Sequence, residues 1–208
     1  DDIVFTASAT EACNLAIKGL VRPRLRRGVG VHLVAPMHEH PAVLDPLRRL
    51  EREGVDLTLV KPDASGVVGA EDLERHLRPD TALVACMHAN NEVGTINDLE
   101  SVQALCRARG TLLLVDASQS AGRIDVGSLD VDLLVASSHK MHGPGGAGVL
   151  AIRGGARSVP LEPLIDGGGH EQGLRSGSLD VPAIVGFAAA CTLAGDSMDA
   201  EALRIAGL

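Results

Sequence analysis

The chain carries three lysines against sixteen arginines, so the setting of each lysine is informative. Lys140 stands between an apolar run at 133–136 and a glycine-rich turn at 143–148. A lysine held there, rather than solvated on a helix, is a candidate for imine chemistry with a carbonyl compound. Asp116 closes another apolar run, at 112–115. A carboxylate at the end of a buried strand needs a partner, and a salt bridge, a helix cap or a protonated heterocycle nitrogen would each serve. Ser8 and Glu11 have capping-box spacing ahead of a helical pattern at 12–20. The free amides and positive dipole end of such a helix either cap the turn alone or hold a phosphate. An imine-forming lysine, an acid for a ring nitrogen and a phosphate cradle are together the parts of a pyridoxal phosphate site.

Other chemistries have weaker support. His38 and His40 are two residues apart, and His139 and His142 three apart, but no carboxylate-rich motif completes a ligand set, so no metal is expected. Cys13, Cys86, Cys106 and Cys191 lack CxxC spacing and read as buried free thiols of a reducing cytosol. GxxxxGK[ST] does not occur, which disfavours a nucleoside triphosphate.

The elements that must position these groups follow from the apolar pattern. Runs at 31–35, 55–60, 82–87, 111–115 and 133–136 are rich in Val and Leu without strict alternation, as in strands covered on both faces. Helical patterns occupy 12–20, 41–53, 71–77, 99–109 (closing at Gly110) and 182–193. Alternating strands and helices imply a mainly parallel sheet with right-handed crossovers. Residues 149–152 read as an antiparallel strand, and 167–177 as a second glycine-rich loop. Polar clusters at 6–11, 38–40, 88–92, 116–119 and 137–140 each follow a strand. Open α/β sheets bind ligands at the carboxyl ends of their strands, so five such clusters at one edge describe a pocket.

Composition sets the bounds. The 208 residues are 45% hydrophobic and 22% charged, which suits one α/β domain, or one domain and part of another. A net charge of −8, with Phe5 and Phe187 as the sole aromatics, argues against nucleic acid and an anionic membrane as partners. No signal peptide or span of about 20 apolar residues is expected, which favours a cytoplasmic setting.

Several blocks taken together resemble a known family: Thr6, Ser8, Thr10 and Glu11 with Asn14; Glu39 and His40; His88, Asn90, Asn91 and Glu92; Asp116 and Gln119; Ser137, His139, Lys140 and Pro144; and Gly167, His170, Glu171, Arg175 and Ser178. They are similar, in order and over nearly the whole chain, to the cysteine desulfurases of the NifS/IscS type, in the aminotransferase class V family. The resemblance implies a fold-type I pyridoxal phosphate architecture: a three-layer α/β/α large domain on a mainly parallel seven-stranded sheet. Residues 1–190 would form that coenzyme-binding domain, and 191–208 would open a connection to a small domain.

It also implies roles. Lys140 would hold pyridoxal 5′-phosphate covalently and take the Cα proton, and His40 would stack on the ring and help move protons. Asp116 would pair with the ring nitrogen, and Gln119 and Asn90 would lie near the ring hydroxyl or the substrate. Ala9, Thr10, Ser137 and His139 would bind the phosphate. Ser178 stands where the family usually has Thr, which reaches the neighbouring subunit's phosphate, so a homodimer is implied. Ser8 replaces the family's usual glycine. The implied reaction converts L-cysteine to L-alanine and passes sulfur, as a persulfide, to an iron–sulfur scaffold or a thiolation protein. The family's persulfide-forming Cys and its carboxylate-binding Arg fall beyond residue 208. Selenocysteine lyase, another class V lyase or transaminase, and a non-catalytic scaffold are the alternative expectations.

Overall fold

The computed structural model describes residues 2–208. Seven strands form one sheet: β1 (Ile3–Thr6), β2 (His32–Pro36), β3 (Asp56–Val60), β4 (Thr81–Met87), β5 (Leu112–Asp116), β6 (Leu133–Ser137) and β7 (Gly148–Ile152). Their order across the sheet is β1-β7-β6-β5-β4-β2-β3. Strands β2 to β6 pair in parallel, whereas β7 runs antiparallel to both β1 and β6. The sheet is thus mainly parallel, with the antiparallel strand at 149–152 where the glycine-rich turn predicts it.

The connecting helices are α1 (Ala9–Arg26), α2 (Pro41–Glu51), α3 (Ala70–Glu74), α4 (Leu99–Arg109) and α5 (Val181–Ala206). Neighbouring residues on each strand face opposite ways, and both sets are apolar. Leu33, Leu83, Leu114, Leu133 and Leu150 pack with Leu15, Ile17, Leu20, Val43 and Leu47 of α1 and α2. Val34, Val84, Leu113 and Val115 pack on the other side with Val102 and Cys106 of α4 and Phe187 of α5. Two buried faces remove the need for a polar residue at every second position, which explains the missing alternation.

Several helices differ from their sequence patterns. α1 continues past residue 20 to Arg26, through the arginine-rich turns that break the apolar stripe. α3 has five residues and ends at Glu74 rather than 77. α5 starts on an Asp180 cap, whose side chain accepts the Ala183 N–H (3.1 Å), and runs unbroken across residue 190 to Ala206. By length and composition α5 could cross a membrane, at mean hydropathy 1.4. Val181, Ile184, Val185, Phe187 and Leu193 carry most of that hydropathy, interrupted by small residues. Ala183, Phe187 and Ala190 seat α5 on the protein core. Cys191, also on α5, is exposed, unlike buried Cys13, Cys86 and Cys106; all four are free thiols.

One close approach fixes the start of α1 over the sheet. A Cβ on Gly148 would stand 2.5 Å from the Ser8 carbonyl carbon and 2.8 Å from the Ala9 nitrogen. Gly148 is in register with Thr6 on one side and Ser137 on the other. The absence of a side chain therefore lets the β1–α1 turn settle directly on the sheet edge. Gly148→Ala should cost about 1–3 kcal/mol, the usual range for overpacking, measurable by urea denaturation. An unchanged midpoint would mean that the turn is free to move away.

Candidate functional site

The carboxyl ends of β4, β5 and β6 and the amino ends of α1 and α2 surround a cavity of about 230 Å³. Ser8, Ala9, Thr10, His40, Asp116, Gln119, Ser137, His139 and Lys140 line it, with Met87, Ala89, Asn91 and Ser118. Eight of the ten sequence-predicted site residues therefore meet at one edge of the sheet.

Each side chain is placed by a local device. Ser8 caps α1 and its Oγ accepts the Glu11 N–H (3.2 Å). Helix geometry leaves the first-turn amides of Ala9 and Thr10 without an intrahelical acceptor, so they are donors at the cavity wall. His40 caps α2 through its ring: Nδ1 accepts the Ala42 N–H (3.1 Å). In a neutral ring that bond assigns the proton to Nε2. Pro41, at the start of α2, has no N–H to satisfy. Asp116 ends β5, buried, with Oδ1 accepting the Ser118 N–H (2.9 Å). Ser137 Oγ and His139 Nδ1 lie 2.9 Å apart where β6 passes into a 3₁₀ turn, Ser138–Met141, that carries Lys140. His142 ends the turn in a left-handed conformation (φ 65°) ahead of the glycines.

Two predicted residues lie outside this cavity. Asn90 is buried and committed to its own loop: Nδ2 donates to the His38 carbonyl (3.1 Å) and Oδ1 accepts the Glu92 and Val93 amides. Asn91 lines the cavity instead. Ser178 lines a separate depression with Phe5, Arg175 and Asp180. Ser118 and Met87 are lining residues that the polar clusters alone did not single out; their positions beside Asp116 and at the end of β4 were the available signals. The histidine pairs do not converge as ligands. His38 Nε2 turns to the Gly66 carbonyl (3.0 Å), and no group of three His, Cys, Asp or Glu able to hold a metal occurs among the described residues.

Beneath the cavity lies a second carboxyl group. Glu39 is 4% exposed; its Oε1 accepts the Met87 N–H, and its Oε2 is buried with no partner among the described residues. Burial, with the charge of Asp116 adding, pushes its pKa well above 4.5, opposed by the Met87 amide. Burial, then Asp116 and Glu39, likewise raises the Cys13 thiol, and burial raises Cys86. No cysteine lines the cavity among the described residues.

Comparison with known proteins identifies the lineage. The aminotransferase class-V family matches residues 1–205, and the chain belongs to that family. It is 46% identical to the cysteine desulfurase IscS of Haemophilus influenzae, a match covering 100% of this chain and 51% of the relative. Against IscS of Klebsiella pneumoniae the identity is 44%, with the same coverage. The chain thus spans about half the length of the curated relatives it matches. Among solved structures, DndA from Streptomyces lividans superimposes with a TM-score of 0.89 at 38% identity, covering 95% of this chain and 56% of DndA. SspA in complex with cysteine gives 0.87 at 41%, over 92% of this chain and 55% of SspA. These are fold-type I neighbours, and the three-layer expectation holds.

The buried Glu39 sets a pH dependence. In the unfolded chain it titrates near 4.5, whereas the folded group keeps its proton to higher pH. Its contribution to stability is complete below about 4.5 and is lost as pH rises towards the raised value, because the folded state then binds more protons than the unfolded. Wild-type stability relative to Glu39→Gln should therefore fall as pH rises above about 4.5 in paired urea titrations. A difference that stays flat or rises would refute a neutral Glu39.

Proposed function

We propose that this class V chain binds pyridoxal 5′-phosphate and serves a cysteine desulfurase, taking L-cysteine to L-alanine. The observation that carries the reading is the meeting of Lys140, Asp116, His40 and the capped start of α1 on one cavity. The donor set fits the coenzyme in kind. An amine, a buried carboxylate and a group of amide and hydroxyl donors match its aldehyde, ring nitrogen and phosphate. When bound, pyridoxal phosphate supplies a carbonyl that condenses with amines and a ring that accepts electron density from an amino-acid Cα.

The chain's own residues do the rest. Asp116, fixed by Ser118, holds a positive charge on a ring nitrogen. Ala9, Thr10, Ser137 and His139 donate to a phosphate at the helix start. Lys140 Nζ would hold the coenzyme through its aldehyde and would take the Cα proton of a bound amino acid. His40, held through Nδ1, keeps Nε2 for proton movement at the substrate. Gln119 and Asn91 supply polar contacts for a ring hydroxyl or the substrate; Asn90 acts by shaping the loop that presents Asn91. The thiol that takes the sulfur comes from outside the described residues. Cys13, Cys86 and Cys106 are sealed in the core, and Cys191 of α5 rests its Sγ 3.6 Å from Met141 Sδ of the 3₁₀ turn.

The larger setting follows the same reading. Residues 1–190 form the coenzyme domain, and 191–208 lead from it. Ser178, outside its own cavity, is available to a partner's phosphate in a homodimer. Cysteine as substrate is supported by the cysteine held in the similar SspA structure. The acceptor is an iron–sulfur scaffold or a thiolation protein, and four free thiols suit a cytoplasmic enzyme.

Borohydride reduction with pyridoxal phosphate present should attach the coenzyme to the peptide containing Lys140, as read by mass spectrometry. Lys140→Ala should give no adduct. Asp116→Asn should keep the adduct and lower alanine formation roughly 100-fold, as for loss of one preorganised electrostatic partner. Labelling at Lys18 or Lys61 instead would end the proposal.

A further inference from the structure

The amino end of α1 carries a competitor for any anion it holds. Glu11 lies in the first turn of α1, one residue from Thr10. Its Oε2 accepts the Ala7 N–H (2.7 Å), which folds the carboxylate back over the turn that lines the cavity. A carboxylate there already satisfies the positive end of the helix, and an unpaired one would repel a phosphate dianion. Arg175 is the counter-charge: its Nε donates to Glu11 Oε1 (3.0 Å), with both side chains 18% exposed.

Arg175 comes from the distant glycine-rich loop, which is held in place independently. Its NH1 donates to the Gly177 carbonyl (3.3 Å), and Glu171 of the same loop accepts the Phe5 N–H of β1 through Oε2 (2.7 Å). The loop therefore brings a guanidinium to the back of the phosphate turn without entering the cavity, whose lining does not include Arg175.

We propose that Arg175 is a positioning residue for the coenzyme phosphate, acting through Glu11. It cancels the carboxylate's charge and pins the turn at residues 7–10, so that the amides of Ala9 and Thr10 accept a dianion. This inference rests on the pyridoxal phosphate reading above.

The test compares pyridoxal 5′-phosphate with pyridoxal, which lacks the phosphate, by equilibrium dialysis against the purified protein. Arg175→Gln should weaken pyridoxal phosphate binding about tenfold or more, the scale of leaving a half-buried charge unpaired, and leave pyridoxal within about twofold. Adding Glu11→Gln to Arg175→Gln should restore most of the loss. Glu11→Gln alone, which keeps an acceptor for the Ala7 N–H, should bind pyridoxal phosphate as tightly as wild type or more so, and it decides the matter if Arg175→Gln fails to fold. A double variant as weak as Arg175→Gln, equal losses for the two ligands, or weakening by Glu11→Gln alone would overturn the charge mechanism. Failure of the wild-type protein to prefer pyridoxal phosphate would instead sink the coenzyme reading itself.

Discussion

A parallel sheet covered on both faces has nowhere to place a polar side chain except beyond the ends of its strands. In this chain Leu33, Leu83 and Leu114 fill one side and Val34, Val84 and Val115 the other. The polar residues are thereby driven to the carboxyl edge, where Asp116 and Ser137 close their strands. The helix starts that face this edge add unpaired amides and a positive field. Cavity, charge and donors at the site all descend from the demand that both faces stay dry.

The same demand makes the ground beneath the cavity electrostatically sensitive. Glu39 and Asp116 approach from different elements into low-dielectric surroundings, and two adjacent buried carboxylates cannot both carry charge cheaply. The structure gives Asp116 the fixed Ser118 amide and sets Glu39 on Met87, the residue paired with Asp116 in the sheet. Burial disfavours charge on Glu39, which lies beneath the cavity wall that Asp116 lines. At the other end, Arg175 performs a comparable cancellation on Glu11. Charge around the site is thus pared down, as the ring nitrogen and phosphate of the proposed coenzyme require.

Much of this was legible in the sequence, because strand ends and helix starts are local events. Polar clusters after Val- and Leu-rich runs located the edge, and Ser8 with Glu11 marked the start of α1. What escaped depends on tertiary contact. Asn90 and Asn91 are adjacent and chemically identical, and the turn that buries one and presents the other is not encoded in composition. Helix ends differ from the sequence pattern where packing stops: α1 runs on through arginines, and α5 through exposed turns such as Leu203 and Ile205. Cys191 looked like its three buried counterparts because exposure is decided by which side of α5 meets the core.

The single reversed strand has a consequence for the birth of the site. Gly148 of β7 joins Thr6 to Ser137, and so brings the Ser8 turn beside Lys140 across more than half of the polypeptide. Contacts of such sequence separation form late and slowly, because loop entropy is lost before they return anything. Nothing resembling the binding cleft exists in a nascent chain until its far half has been synthesised and has zipped between the first strand and the sixth. Occupancy by a small molecule then reports completion of the whole topology, and it reinforces the native state by mass action.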